Sequence, residues 1–364
     1  MSTEICEECT GCGACSCICP KQCITMKENR IAEVIPFIDS KNCIHCDLCK
    51  KLCPQNSQLT KQFPQSCYVA WSKNKNDLVN SASGGVAAVI ARYQLEKHMK
   101  IYGCDYTDSL DLVHFCLKNE NDIIKMESSK YSQSNAFLVF KNIKNDLIGK
   151  YVVVFIGTPC QVAGLRRYLR RDFDNLITVD LVCHGTPPNK YLKEYIQKKH
   201  ISYPIDAIRF RGEFNQQLTV WKNNNIIYQK PYTEDLYFSA FYDNKISRNA
   251  CYTCQYAESK RIADITLADF WGLGKLVKIK KQSNRPSLVL VNTEKGKAYF
   301  HNITDLLFFE ERPVDEAIRG NGRLNNPPGK NREAILFQKL YPFLSFTMSV
   351  RLSKKINNYY NRLK

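Results

Sequence analysis

From Cys67 onward the chain alternates short apolar runs with longer segments in which apolar residues recur every three or four positions. The runs Cys67–Trp71, Ile101–Tyr106, Val152–Ile156, Ile177–Leu181 and Ala207–Phe210 have the length and composition of strands. The segments Gly84–Lys97, Asn135–Asn145, Gln161–Arg170 and Lys190–Lys199 have the length of helices. Alternation of this kind predicts an α/β body built on a mostly parallel sheet with helices on its faces. Gln217–Lys230 predicts a hairpin that turns at Asn223-Asn224-Asn225. Arg351–Lys364 holds five basic residues and no acid, and predicts a solvated tail or a terminal helix rather than a binding element.

Before Cys67 this rhythm is absent and cysteine takes over. The chain has 18 cysteines, and eleven of them lie between Cys6 and Cys53. Cys9, Cys12, Cys15 and Cys19-Pro20 form a C-x2-C-x2-C-x3-C-P run, repeated by Cys43, Cys46, Cys49 and Cys53-Pro54. Two-residue gaps let one tight loop turn three sulfurs toward one cluster, and the proline, with no N–H and a fixed φ, turns the chain away. In the two-cluster bacterial ferredoxin pattern the fourth cysteine of each run ligates the other cluster. The spacing therefore assigns one 4Fe-4S cluster to Cys9, Cys12, Cys15 and Cys53, and a second to Cys43, Cys46, Cys49 and Cys19. A pair of zinc sites is the competing reading, but zinc ligands come in pairs and lack the triple-plus-proline run. Cys6, Cys17 and Cys23 fall outside the pattern and read as neighbours packed beside the clusters. Ile31–Asp39 reads as the short hairpin of such a module, and Gln55–Ser66, polar with a proline, as a linker.

The expected organisation is an α+β ferredoxin-like head of the two-cluster type over residues 1–60. The body follows in two parts, 67–150 and 151–345, with a basic tail over 346–364. No apolar run approaches the roughly 18 residues of a membrane span, and Met1–Thr10 lacks the basic and apolar regions of a signal peptide. A disulfide framework is therefore disfavoured, metal is favoured, and a cytoplasmic location is expected. The formal net charge of +17 counts cysteines as neutral, so cluster-bound thiolates make the holoprotein less basic than it looks. The remaining charge suits flavin phosphates, an acidic redox partner or an anionic membrane surface. Nucleic acid is not expected, because no zinc-finger or RNA-binding motif is present.

Several loops of the body hold chemistry. Ser81-Ala82-Ser83-Gly84-Gly85 precedes a helix, where exposed N–H groups and the dipole favour an anion; an ordinary helix cap is the alternative. Gly157-Thr158-Pro159-Cys160-Gln161 and Cys183-His184-Gly185 each follow an apolar strand, the position where α/β sheets bind ligands. Cys251-x2-Cys254 lies between Arg248 and Lys260. The pair, with Cys160 and Cys183, would complete a third four-thiolate site; a redox dithiol or a zinc site competes. Cys67, Cys104 and Cys116 read as packing residues.

Taken in order, these motifs resemble a known family. Ser81–Gly85, Lys130-Tyr131-Ser132-Gln133-Ser134, Gly157–Gln161 with Gly164-Leu165, Cys183–Gly185, Cys251–Cys254, Ala263-Asp264-Ile265 and Asp269-Phe270-Trp271-Gly272 resemble the coenzyme F-420 hydrogenase/dehydrogenase beta-subunit family, with a ferredoxin module in front. The resemblance covers the chain from about Cys9 to about Phe343 and implies an FAD-binding body with a 4Fe-4S cluster beside the flavin. It implies Cys160, Cys183, Cys251 and Cys254 as the ligands of that cluster. Ser83, Gly84, Gly85, Lys130, Tyr131 and Gln133 would line the flavin site, and His184 is the candidate general acid. Asp264 and Asp269 would orient the site or serve a nearby turn. The implied activity is that of an iron–sulfur flavin-dependent oxidoreductase acting on a coenzyme or small molecule, with a ferredoxin or a partner enzyme as redox partner. Similar ferredoxin-fused proteins resemble those encoded among polysaccharide-biosynthesis enzymes. The alternative is a non-catalytic electron-transfer subunit serving a partner enzyme.

Overall fold

The structure is a computed structural model and describes residues 5–211, 216–280, 283 and 285–363. The first four residues of the expected head and the last residue of the expected tail lie outside that range. Thirteen strands are formed among the described residues: β1 Ile24–Glu28, β2 Val34–Ile38, β3 Ser66–Ser72, β4 Lys100–Tyr106, β5 Leu112–Cys116, β6 Val153–Gly157, β7 Leu176–Leu181, β8 Ala207–Arg211, β9 Gln216–Lys222, β10 Asn225–Pro231, β11 Ile265–Asp269, β12 Ser287–Val291 and β13 Leu307–Arg312.

The head holds the helices Ala14–Ile18 and Leu48–Lys51 and an antiparallel hairpin, β1 with β2, paired from Ile24↔Ile38 to Glu28↔Val34. The hairpin starts seven residues ahead of the expected Ile31. Asn29 is the reason: its Oδ1 accepts the N–H groups of Ile31 and Glu33, folding that stretch into the turn. Gly11 and Gly13 take φ of +62° and +72°, which lets the first cysteine loop curl around its sulfurs.

The body is organised on an eight-stranded sheet of order β13-β3-β12-β11-β7-β6-β4-β5. Strands β3, β11, β7, β6 and β4 share one direction, so the sheet is large and mostly parallel. Every residue of β6 and of β12 is buried, as strands covered on both faces require. Helices Val86–Glu96, Phe140–Ile148, Pro159–Leu169 and Asn189–Lys198 match the expected helical segments within a few residues. Ala207–Phe210 is a strand, but not in the main sheet. It opens a separate antiparallel sheet of order β10-β9-β8, whose turn at Asn223 and Asn224 takes φ of +51° and +59°, as a two-residue hairpin needs.

The expected linker is tied down rather than loose. Gln62 and Arg261 exchange backbone hydrogen bonds of 2.8 Å, and Gln65 N–H reaches the Val291 carbonyl. The chain's last described helix, Phe346–Arg362, packs on the Arg332–Leu340 helix and on Asn189–Lys198, and buries Phe346, Ser349, Val350 and Ser353. Among the described residues no helix is long and apolar enough to cross a membrane.

Candidate iron–sulfur and flavin site

The duplicated cysteine runs fold so that each fourth cysteine lies with the other run. An enclosed cavity is lined by Cys9, Cys12, Cys15 and Cys53, together with Cys6, Thr10, Gly13, Met26, Pro36 and Pro54. On the far side, the Cys19 and Cys23 sulfurs are 3.4 Å apart, Cys23 faces Cys43, and Cys49 faces Cys46 and Cys19. Cys46 is exposed, whereas Cys12 and Cys53 are buried. Cys6 is a near neighbour of the first group: its thiol hydrogen-bonds both Cys9 and Cys53, holding Cys9 down to about 7 and Cys53 down to about 6. Burial pushes the Cys12 thiol up to about 12.

Four more cysteines meet at the C-terminal edge of the parallel strands. Cys160 sits in the first turn of the Pro159–Leu169 helix, directly after β6; Thr158 and Gln161 close a capping box there. Cys183 lies two residues past β7, and Cys251 sits in the short helix Asn249–Tyr252, three residues before Cys254. Their thiols face one another. Burial, then Cys251, Cys160 and Cys254, push Cys183 well above the ordinary thiol value, and burial with Cys160 and Cys251 takes Cys254 up to about 12. Gly185, at φ +100°, has no room for a side chain: a Cβ would stand 2.8 Å from Ser247 Oγ and 3.5 Å from Cys251 Cβ. No three His, Cys, Asp or Glu side chains among the described residues close around a single-ion position.

The two cysteine groups are neighbours across the seam between head and body. Gly164 lies one turn after Cys160 on the same helix face. A Cβ at Gly164 would stand 2.8 Å from Cys12 Cβ and 3.1 Å from its sulfur, so glycine lets the head's inner cysteine approach that face. The Tyr256 phenol is raised by burial and then by Cys160, Cys12, Cys254 and Cys53, which places it between the groups. Arg248, buried and three residues before Cys251, donates to the carbonyls of Thr10 and Cys9. Gln255 Nε2 donates to the Pro54 carbonyl at 3.0 Å, and Asn249 N–H to Glu33 Oε1 at 2.6 Å. The sequence shows Arg248 only as a basic flank of Cys251, and Gln255 and Tyr256 carry no signal in it.

The other predicted site residues spread along the same sheet edge. Ser83 Oγ meets Ser287 Oγ at 2.8 Å, Gly84 N–H donates to the same hydroxyl, and Gly85 at φ +73° caps the Val86–Glu96 helix. A Cβ on Gly84 would lie 2.4 Å from the Ala70 carbonyl. Lys130 directs its ammonium at the carbonyls of Lys125, Met126 and Glu127, with Asp105 at 3.7 Å. Tyr131 stacks on Phe241, and its hydroxyl accepts from Arg211 Nε at 2.9 Å. Arg211 also holds Asp269 at 2.6 Å. Gln133 is buried at the seam, its Nε2 3.4 Å from the Thr10 carbonyl. His184 lies against Trp271, ring centres 5.8 Å apart, and burial followed by Arg323 takes it down to about 4, a neutral imidazole. Asp264 straps β7 to β11 through Thr178 and Thr293 and stands apart from these groups.

Similarity to known proteins follows the same division into head and body. Residues 151–317 match the family described as the C-terminal region of the coenzyme F420 hydrogenase/dehydrogenase beta subunit. Residues 8–57 match the 4Fe-4S dicluster domain. Among solved structures the chain is similar to a chain of the F420-reducing [NiFe] hydrogenase complex from Methanosarcina barkeri, studied by xenon derivatization. The two are 18% identical, the match covers 84% of this chain and 94% of that one, and the TM-score is 0.49. No curated protein matches the chain.

Proposed function

Because the chain belongs to the coenzyme F420 hydrogenase/dehydrogenase beta-subunit family and opens with a 4Fe-4S dicluster domain, we propose that it is an iron–sulfur flavoprotein oxidoreductase wired from head to body. Electron transfer of the iron–sulfur oxidoreductase type is the family's contribution; the route and the flavin are our reading. In that reading Cys9, Cys12, Cys15 and Cys53 hold one head cluster, and Cys19, Cys43, Cys46 and Cys49 the other. Cys160, Cys183, Cys251 and Cys254 hold a third. The donor set suits iron–sulfur ligation, since each group brings four thiols together.

The observation that supports the route best is the approach of Cys12 to the Cys160 helix face at Gly164. It sets the inner head group against the body group, with Tyr256 between and Arg248 holding the two parts together. FAD, when bound, supplies the pairing of single electrons into two-electron transfer. The edge that carries Ser83, Gly84, Gly85, Lys130, Tyr131, Gln133 and His184 suits such a ligand. Glu127 Oε2 and Gln133 Oε1 are buried acceptors without a partner among the described residues, open to a donor from outside the chain. Arg211 contributes fixed positive charge toward phosphate or ring oxygen, whereas the Lys130 ammonium is engaged by the carbonyls of Lys125, Met126 and Glu127 and acts on a ligand only through its field. His184, held neutral beside Trp271, is the imidazole placed to accept a proton, so the general-acid role the resemblance implies does not suit its resting state. The acceptor is a coenzyme or small molecule, with polysaccharide biosynthesis as the setting, and a beta subunit implies partner subunits or a ferredoxin-type donor.

Anaerobic purification followed by iron, sulfide and flavin determination tests the reading. Three clusters of four irons give about twelve irons per chain with one FAD. About eight irons and no flavin would leave a dicluster head on a body without a redox centre, and the proposal would fail. Turnover of a hydride donor by the isolated chain separates a flavoenzyme from a subunit that only relays electrons.

A further inference from the structure

The Phe346–Arg362 helix has two apolar faces, and the protein uses only one. Phe346, Ser349, Val350 and Ser353 are buried against neighbouring helices. Met348, Leu352, Tyr359 and Leu363 follow one another at spacings of four, seven and four, which puts them on a single line down the other side. They are 56%, 37%, 67% and 69% exposed, so no described residue covers this line over its length of roughly 22 Å. Arg351, Lys355 and Arg362 each stand three positions after a member of that line and form a second, parallel row. All three are exposed, and among the described residues none is paired with an acid.

The charge along this stretch has one sign. From Ala334 to Lys364 the sequence holds six lysines and arginines and no aspartate or glutamate. A surface of mixed sign would leave that cationic row facing like charge somewhere along its length. A surface uniformly negative beneath an apolar layer matches both rows at once. Lysine and arginine reach outward along their stems to such a layer while the apolar line sinks below them, and a tyrosine suits the boundary with its phenol toward water. The chain's formal net charge of +17, lowered but not cancelled by cluster-bound thiolates, adds attraction at longer range.

We propose that the exposed face of the Phe346–Arg362 helix docks the protein on an anionic lipid bilayer. The helix lies in the plane of the surface, with Met348, Leu352, Tyr359 and Leu363 inserted and Arg351, Lys355 and Arg362 at the headgroups. The helix does not span the membrane, and docking does not depend on the redox chemistry proposed above.

The test is flotation of the anaerobically purified full chain with vesicles. Vesicles of phosphatidylcholine mixed with phosphatidylglycerol are compared with pure phosphatidylcholine, at low and at high salt. The wild-type chain is expected to float with the anionic vesicles, to leave them as salt rises, and to ignore the neutral ones. Met348→Glu with Leu352→Glu, and separately Arg351→Gln with Lys355→Gln and Arg362→Gln, each lower the partition coefficient by about tenfold or more. These side chains are exposed, so iron content and thermal unfolding stay at wild-type values in both variants. Absence of flotation with anionic vesicles at low salt overturns the proposal and leaves the face to a protein partner. Flotation that either variant leaves unchanged also overturns it, since binding would then reside elsewhere on the basic surface.

Discussion

Arg248 shows how one side chain joins two parts of the molecule. Its guanidinium is buried beside Cys251 and hydrogen-bonds the carbonyls of Cys9 and Thr10, 239 and 238 residues away in sequence. Hydrogen bonds to a charged group each contribute about 1.5–3 kcal/mol, and an uncompensated carbonyl costs a similar amount. Arg248→Met is therefore expected to destabilise the holoprotein by on the order of 3 kcal/mol, read from denaturant unfolding under anaerobic conditions. Arg248→Lys restores little, because a point charge cannot serve both carbonyls as the planar fork does. A loss below about 1 kcal/mol for Arg248→Met would show that the seam is held by other contacts. Glu127 gives a second prediction at this scale. Burial, with Asp77 nearby, raises its carboxyl from 4.5 to about 7. An acid raised on folding favours the folded state while protonated, so this contribution is complete below pH 4.5 and is lost as pH climbs through about 7. Glu127→Gln removes the titration. The variant should hold its stability across that window while the wild type declines, and parallel urea titrations from acid to neutral pH would reveal it. Identical pH profiles would show that the carboxyl titrates unperturbed. The sequence makes the cysteines legible because their chemistry is written in spacings of two and three. It leaves Arg248 and Glu127 nearly silent, since what matters in each is a neighbour supplied by a distant part of the chain.

At the scale of elements, β6 and β7 are readable as strands of the sheet's centre, whereas β12, just as buried, is not among the runs that the alternation singles out. Runs such as Val152–Ile156 and Ile177–Leu181 are rich in β-branched residues, and the fold places them in the sheet's centre as β6 and β7. The alternation also led to Ala207–Phe210, but its sheet membership was not readable: β8 pairs with β9 because their hairpin partners lie next in sequence, apart from the main sheet. Strand β13, with Glu310, Glu311 and Arg312 in a row, sits at the sheet's edge and has too little apolar pattern to stand out. The helix Pro159–Leu169 shows an element serving two sites, and Gly164 decides how well it does so. Replacing a helix-interior glycine ordinarily gains up to about 1 kcal/mol of helix propensity. Here the added Cβ meets Cys12 Cβ at 2.8 Å, an atom fixed by its own backbone that cannot swing aside. Overpacking of this kind costs about 1–3 kcal/mol, so the clash outweighs the gain and grows with side-chain size. Gly164→Val is expected to loosen head from body and to speed proteolytic cleavage in residues 55–66 several-fold, with Gly164→Ala milder. Unchanged cleavage rates in both variants would mean that the seam has slack the geometry does not show.

For the molecule as a whole, position along the chain's folded path orders the three cysteine groups. Cys46 of the outer head group is exposed, Cys12 and Cys53 of the inner one are buried, and the four body cysteines, intermediate in exposure, lie at the strand ends beyond the Cys12–Gly164 contact. On the proposed reading electrons cross the surface at the outer group, pass the inner one, and reach the sheet edge through the Cys12–Gly164 contact. The order predicts an asymmetry between two substitutions. Cys183→Ala removes a ligand from the last group only. Iron should fall from about twelve to about eight per chain while the head's low-temperature EPR signal and the bound FAD remain. Reduction of that FAD by a protein electron donor should then slow by orders of magnitude, because the gap from the inner head group is no longer bridged. Cys46→Ala strikes the opposite end: iron again falls by about four, but a small reductant that reaches the body directly should still reduce the flavin at the wild-type rate. Equal behaviour of the two variants toward both donors would contradict a linear path and point to the body being served independently of its head. The asymmetry separates the route from the mere presence of the clusters, because iron counts move alike in both variants and only the donor dependence differs.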